Sequence, residues 1–330
     1  MYALWVHARD INNKAQADAV IAQAQATGMT DILFQVMDDL GRVHYNTTLP
    51  FTRCPDIGYF DPLAYLAQSG IRAHAWLSVG YDILRAHPEW NVHITQNLPT
   101  TYRKWADFTR ADVRQFAADW AASIVKDYPG VGIHLDYLRW DTKFGGDKLP
   151  WATADAITQT FRTIAAAIPH STITAAVGTN PRGTTSGSMQ AWGDWMGILD
   201  TAVVMAYPGS TVELRTLMAR SAAINKNKVA IGLSGLYFQY NPYRETRLAP
   251  STLANCVNWA RSAGYQHFSW FDYTKIDAEQ YATIAQYSSA DSKVEPALLP
   301  ASPLPLFAVL FFALALWRFR ACQERERPIG

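Results

Sequence analysis

Cysteine is scarce in this sequence: Cys54, Cys256 and Cys322 are the three thiols in 330 residues. They lie far apart, form no CxxC pair and lack a histidine at metal-ligand spacing, so neither a disulfide framework nor a zinc site is expected. Charge is also thin, at 17% of residues with a net +1, and no run of Lys or Arg interrupts the main body. That argues against a nucleic-acid partner. A Gly-rich phosphate loop is missing after the first strand-like stretch, where Ala8-Arg9-Asp10-Ile11 stands instead. A nucleophile elbow is missing too, since Gly232-Leu233-Ser234-Gly235 has the wrong spacing. Five histidines (His7, His44, His74, His134 and His267) fall in or beside strand-like stretches, without an HxH pair. They read as hydrogen-bonded lining residues rather than metal ligands, and the expectation is no cofactor and no metal.

What is abundant is apolar and aromatic: 49% hydrophobic residues, 12 Trp and 16 Tyr. Eight strand-like stretches alternate with helical ones. The strands are expected at Ala3–Ala8, Asp31–Met37, Arg72–Val79, Val131–Leu138, Thr172–Val177, Thr201–Ala206, Lys228–Leu233 and Gln266–Phe271. Helices are expected at Asn13–Thr27, Pro62–Ser69, Thr109–Asp127, Thr153–Ile168, Trp192–Ile198, Val212–Ile224, Ser251–Ala263 and Asp277–Gln286. The pattern predicts an α/β fold, a (β/α)8 TIM barrel. Thr109 with Asp112 three residues on suggests a capping box. Helix-to-strand connections are short, as at Pro129-Gly130, whereas Gly80–Phe108 and Ser234–Pro250 are long strand-to-helix loops. Long polar and aromatic loops at strand carboxyl ends are what a barrel with an active face shows.

Gly132–Trp140 (GIHLDYLRW) carries the chemistry. Period 2 places Gly132, His134 and Asp136 on one strand face. A buried acid at a strand end is costly unless paired or functional. Asp136 therefore caps or pairs structurally, with Arg139 as the partner, or it reacts. Other acids near strand ends are Asp10, Asp38, Asp39, Asp82, Asp141 and Asp272. Aromatics gather there as well: Trp76, Trp140, Tyr207, Trp270 and Tyr273, with Tyr237, Tyr240 and Tyr243 in the seventh loop. Paired carboxylates, aromatic walls and no cofactor motif point to glycoside hydrolysis. The candidate catalytic residues are Asp136 and Asp272, the second carboxylate staying open among Asp272, Asp38, Asp39 and Asp10. Candidate substrate-binding residues are Gln35, Tyr45, His74, Trp76, His134, Arg139, Tyr207 and Trp270.

The chain is expected to divide into a barrel over 1–287, a linker over 288–303, a hydrophobic anchor or sorting tail over 304–320 and a short tail over 321–330. Leu304–Trp317 (LPLFAVLFFALALW) is uncharged and closed by Arg318 and Arg320, which places the barrel outside the cytoplasm by the positive-inside rule. Met1 runs into a strand with no basic and apolar leader, so an exported protein would have an incomplete N-terminus here.

Several motifs taken together are similar to the glycosyl hydrolase-like 10 family. They are Phe60-Asp61-Pro62-Leu63-Ala64-Tyr65, Gly70-Ile71, His74-Ala75-Trp76-Leu77, His87-Pro88-Glu89-Trp90, Gly132–Arg139, and Leu199-Asp200 through Val204-Met205-Ala206-Tyr207. The resemblance spans roughly residues 3 to 280. It implies a bacterial TIM-barrel glycosidase, exported or membrane-attached, acting on an envelope or cell-wall polysaccharide, with Asp136 in the fourth-strand motif. The sequence departs from the family at Ser78, where Asn is common, at Trp140-Asp141, which replaces an aromatic-Pro pair, and at Asp272, where relatives carry Ser. Asp272 is thus not inherited as a family catalyst. The alternative is a catalytically inactive carbohydrate-binding barrel tethered to the membrane.

Overall fold

The computed structural model describes residues 1–98, 105–140, 152–183, 189–240 and 243–288. Asp141 and everything from 289 onward, including the expected anchor, lie outside the described residues. Among the described residues, no helix is long and apolar enough to cross a membrane.

Eight parallel strands close into a barrel: β1 Tyr2–Val6, β2 Asp31–Gln35, β3 Arg72–Ser78, β4 Gly132–Asp136, β5 Ile173–Val177, β6 Thr201–Met205, β7 Val229–Ser234 and β8 His267–Phe271. Each pairs with its sequence neighbours, and β1 closes on β8. Helices cover the outside: α1 Lys14–Ala26, α2 Pro62–Ala67, α3 Val79–Ala86, α4 Ala111–Asp127, α5 Ala154–Ala167, α6 Thr211–Met218, α7 Pro250–Ser262 and α8 Ala278–Ser288. Strands β2, β4, β5 and β7 are buried along their whole length. That fits near-continuous apolar strands covered on both faces. Local signals set the helix starts: Asn13, Asp61, Thr153 and Ser210 each accept a backbone N–H as N-cap, and Pro62 takes the first position of α2.

Period 2 sorts the strands into two cores. Ala3, Trp5, Leu33, Trp76, Ala176, Val203 and Ala230 fill the barrel interior. Intervening residues such as Leu4, Ile32, Ala75, Ile133 and Trp270 pack outward under the helices. Each fully buried aliphatic or Phe side chain contributes about 1.5–3 kcal/mol. Inside, Trp5 meets Trp76 edge-on at 4.7 Å and His134 edge-on at 4.6 Å. Gly132 is required there, because a Cβ would collide with the His74 ring.

Four local expectations differ from what is observed. The long connection after β3 is largely helical, holding α3, a turn at Pro88–Trp90 and a short helix at Val92–Thr95. The connection after β7 contains an antiparallel hairpin, Leu236–Tyr240 with Tyr243–Arg247, whose period-2 alternation had been masked by its polar content. Thr109 does not cap α4. Its N–H and hydroxyl both go to Asp107, and the helix starts at Ala111 with Asp112 paired to Arg110. The Trp-rich helix shrinks to a single tight turn, Trp192–Trp195, interrupted by Gly193 and followed by Gly197.

Candidate active site

A pocket of about 850 Å³ opens at the carboxyl ends of the strands. Its floor is Trp5, His7, Gln35, Trp76 and Asp136, and its walls include Ser78, Tyr81, Asp82, Tyr137, Arg139, Tyr207, Phe238 and Phe271. The size and the mix of rings with a few polar groups suit a ligand site.

Asp136 ends β4, where the strand register sets it beside Ser78 of β3. Three donors hold its carboxylate: the Tyr137 N–H at 2.7 Å, Trp76 Nε1 at 3.2 Å and Arg139 Nη1 at 3.3 Å. Burial pushes its pKa up, against the opposing pull of Arg139, the Tyr137 N–H and Trp76. Arg139 also lies over the Tyr137 ring at 4.4 Å. Its Nη1 also lies 3.9 Å from Met205 Sδ, and Arg139 lines the pocket.

The second carboxylate is Asp82, in the first turn of α3. It sits next to Asp136 because α3 begins directly at the end of β3. Gly80 lets that helix press against the β4 exit, since a Cβ there would lie 2.6 Å from the Tyr137 carbonyl. Asp82 Oδ2 accepts the Ser78 N–H at 3.1 Å, and Oδ1 has no protein partner among the described residues. Burial raises its pKa well above the usual carboxylate value; the nearby Asp136 charge adds to this, while the Ser78 N–H and Arg85 oppose it. Sequence reading named Asp82 among the strand-end acids but did not select it. The available signal was the Ser78-to-Asp82 spacing, which marks a helix start rather than a loop.

The other open candidates are engaged elsewhere. Asp38 accepts the Leu40 and Arg42 N–H groups, Arg42 Nε at 2.8 Å and His44 Nε2 at 3.2 Å. Asp39 lies at the exposed rim facing Arg9. Asp10 accepts the His7 N–H at 3.0 Å. Asp272 is 1% exposed and lies behind His7, accepting from the N–H and hydroxyl of Thr274 and from His7 Nε2 at 3.3 Å. It meets the pocket through His7 and is not itself among the lining residues.

The pocket gathers Gln35, Asp38, Asp39, Trp76, Asp136, Arg139 and Tyr207 among the candidates, with Asp38 already bound to Arg42 and His44. Four others sit elsewhere. Tyr45 is buried under the connection after β2, where its hydroxyl accepts Trp120 Nε1 at 2.8 Å. His74 sits low in the barrel on Asp31, at 2.8 Å. His134 lies in the middle layer, with Nδ1 2.8 Å from Thr174 Oγ1. Trp270 points outward, because its neighbour Ser269 points inward to receive Trp5 Nε1; the inward strand-end ring is Phe271. Trp140 is core as well, donating to the Thr153 carbonyl. The side chains of Tyr240 and Tyr243 lie outside the described residues.

Two pocket residues hold left-handed backbone: Tyr137 at φ 50° and Tyr207 at φ 36°. Such strain costs about 1–3 kcal/mol each and concentrates at functional sites. One group of metal-type ligands occurs among the described residues, with atoms of Asp38, His44 and Cys54 within 4.8 Å of one another. Arg42 already supplies the positive charge beside Asp38.

No known family model matches the chain, and no curated protein is similar to it in sequence. Solved structures are similar in fold. The Bacillus cereus spore cortex-lytic enzyme SleL superposes with a TM-score of 0.55 at 10% identity, over 87% of this chain and 73% of that one. A chitinase from Chromobacterium violaceum gives 0.56 at 11% identity, over 88% and 99%. Alpha-L-fucosidase isoenzyme 2 from Paenibacillus thiaminolyticus gives 0.59 at 14% identity, over 87% and 49%. The likeness is one of fold, a (β/α)8 barrel. The pocket occupies the face where barrels of this kind carry their active sites.

Proposed function

We propose that the protein is a glycoside hydrolase that cleaves O-glycosidic bonds of a cell-wall or envelope polysaccharide, with Asp82 as proton donor and Asp136 as its partner carboxylate. The observation that carries this reading is the placement of two buried carboxyl groups at adjoining positions in one aromatic-walled pocket. Their environments differ in the way acid–base pairs require. Asp82 is pushed further up and retains an oxygen without a protein partner, while three donors support the anionic form of Asp136.

In the reaction, Asp82 donates its proton to the glycosidic oxygen as the bond from C1 to that oxygen breaks. The leaving sugar departs with a new hydroxyl. Asp136 either attacks C1 directly, the resulting glycosyl–Asp136 ester then being broken by a water whose proton returns to Asp82, or it takes a proton from a water that attacks C1 and passes that proton to solvent. In both routes one water is consumed, and Asp82 recovers its proton before the next cycle. Trp76 fixes one oxygen of Asp136, and Tyr81, Tyr137, Tyr207 and Phe238 offer ring faces to the apolar faces of sugars. Support for a wall-type polymer comes from the fold neighbours, which include a cortex-lytic enzyme and chitinases.

The test is release of new reducing ends from a panel of chitin oligosaccharides, peptide-free peptidoglycan strands and neutral β-glucans. Tight binding without any release, unaltered in Asp136→Asn, would establish the silent carbohydrate-binding barrel instead. The proposal extends to location: Leu304–Trp317 anchors the protein with its barrel outside the cytoplasm, motivated by the uncharged run before Arg318 and Arg320. Protease shaving of intact cells digests the barrel on this reading, and protection until lysis refutes it.

A further inference from the structure

We propose that Asp272, His7 and Gln35 form a positioning relay that fixes the Gln35 carboxamide with its NH2 turned into the pocket, making Gln35 a donor to an acceptor oxygen of the bound sugar. The proposal rests on the carbohydrate reading of the pocket and deepens it.

The hydrogen-bond chemistry fixes every orientation. Gln35 Oε1 lies 3.4 Å from the Ala8 N–H, a group that only donates, so the atom there is the oxygen. His7 Nδ1 lies 2.9 Å from that same oxygen and must therefore carry a proton. His7 Nε2 lies 3.3 Å from Asp272 Oδ2, a second acceptor. With acceptors at both nitrogens, the ring is held as an imidazolium. Asp272 is itself anchored by the Thr274 N–H at 2.9 Å and hydroxyl at 2.7 Å. Gln35 Nε2 is left with no protein partner among the described residues, and Gln35 lines the pocket. A hydroxyl, ring or acetamido carbonyl oxygen of a sugar is the chemistry that such an NH2 takes.

The charged groups facing His7 are Asp272, on the turn after β8, and Asp10, on its own turn, where Arg9 lies as well. The rings of Trp76 at 5.2 Å and Phe271 at 5.9 Å complete its surroundings. Burial works to lower the His7 pKa, but the bonds to Asp272 and Gln35 and the charges of Asp272 and Asp10 outweigh it and raise it. When pH rises past that raised value, Nδ1 loses its proton while Nε2–H stays on Asp272. The bare nitrogen then accepts from the Gln35 NH2, the carboxamide turns over, and the pocket faces an oxygen where it had a donor. Sugar binding weakens on the alkaline side through this switch.

The experiment is 15N NMR of the full chain labelled at histidine and at glutamine side chains, with His7 assigned through His7→Gln and Gln35 through Gln35→Glu. Both His7 ring nitrogens are expected to be protonated below a midpoint that lies above the ordinary 6.5, and the Gln35 amide signals to move with that same midpoint. Asp272→Asn should bring the His7 midpoint down from its wild-type position. If that variant fails to fold, Gln35→Glu provides the second arm, keeping His7 cationic while removing the donor. Binding of the N-acetylglucosamine tetramer, followed by tryptophan fluorescence, should weaken up to about 10-fold as pH crosses that midpoint, the order one hydrogen bond supplies. In Gln35→Glu that pH step should vanish. A His7 midpoint at or below the ordinary 6.5, or Gln35 signals that ignore its titration, overturns the relay. An intact relay in a protein that binds no glycan overturns the donor role together with the carbohydrate reading, so the two failures are distinguishable.

Discussion

Near its amino end the barrel buries Asp31, and at its carboxyl end Asp136, and each has an arginine close by. Asp31 starts β2, with Oδ1 2.8 Å from His74 Nε2 and Oδ2 receiving Arg72 Nη2 at 2.9 Å and Thr30 Oγ1 at 2.5 Å. Burial works to raise its pKa, but His74, Thr30 and Arg72 overcome this, and the pKa falls below the usual carboxylate value. Asp136 also has three donors, yet its pKa rises, because burial dominates and its contacts to Trp76 and Arg139 are longer, at 3.2 and 3.3 Å. The difference teaches that satisfaction, not burial alone, sets the direction in which a buried acid's pKa moves. The lower acid is matched by short bonds and serves the fold. The upper acid faces a pocket and shares it with a second carboxyl group, Asp82.

Substitutions at the two ends sharpen this contrast. Asp136→Asn is expected to lower turnover by roughly 10²- to 10⁴-fold, the contribution of a reacting carboxyl group, with the thermal melt nearly unchanged. Near-normal turnover in a folded variant would place Asp136 beside Asp31 as a structural acid. The mirror experiment is Asp31→Asn, which should lose about 1–3 kcal/mol of stability by leaving buried partners unsatisfied, while the folded fraction keeps its kcat. A drop in kcat without a drop in stability would erase the distinction.

A pH series extends the comparison. The folded pKa of Asp31 is depressed, so its stability contribution is present above the ordinary value of 3.8 and is lost as pH falls through the depressed value. Denaturant melts of the wild type should weaken in acid over that window, and Asp31→Asn should lack this component. Asp82 carries the opposite sign. Its folded pKa is raised, so folding is least penalised below 3.8 and loses stability as pH climbs through the raised value. The smallest expected effect follows: at neutral pH Asp82→Asn raises the Tm by roughly 2–4 °C, the shift about 1 kcal/mol gives in a domain of this size. The same variant loses hydrolysis of natural glycans but recovers on aryl glycosides whose leaving group needs no proton. A lower Tm together with unchanged glycan turnover would make Asp82 an ordinary helix-start acid.

Much of this was legible along the chain. Eight apolar stretches separated by helical ones specify the barrel, and the inward face of β4 follows from period 2 once Gly132, His134 and Asp136 are aligned. The same rule failed for Trp270 because a wholly apolar strand gives no sign of which parity faces in; the bond between Ser269 and Trp5, from strands at opposite ends of the sequence, decides it. Tyr45 and His74 failed for a related reason. Tyr45 is held by Trp120 and His74 by Asp31, each on a distant segment, and neither residue lines the pocket.

The sequence by itself determined the secondary-structure alternation, the parallel barrel and the acid at the exit of β4, since these depend on local propensity and on a period that each strand carries alone. Tertiary structure alone decided that Asp82 joins Asp136, that Asp272 acts through His7, and that Trp270 is core. The reason is physical: a carboxyl group's ionisation depends on which donors and charges surround it in space, and for these residues several of those neighbours lie tens or hundreds of positions away.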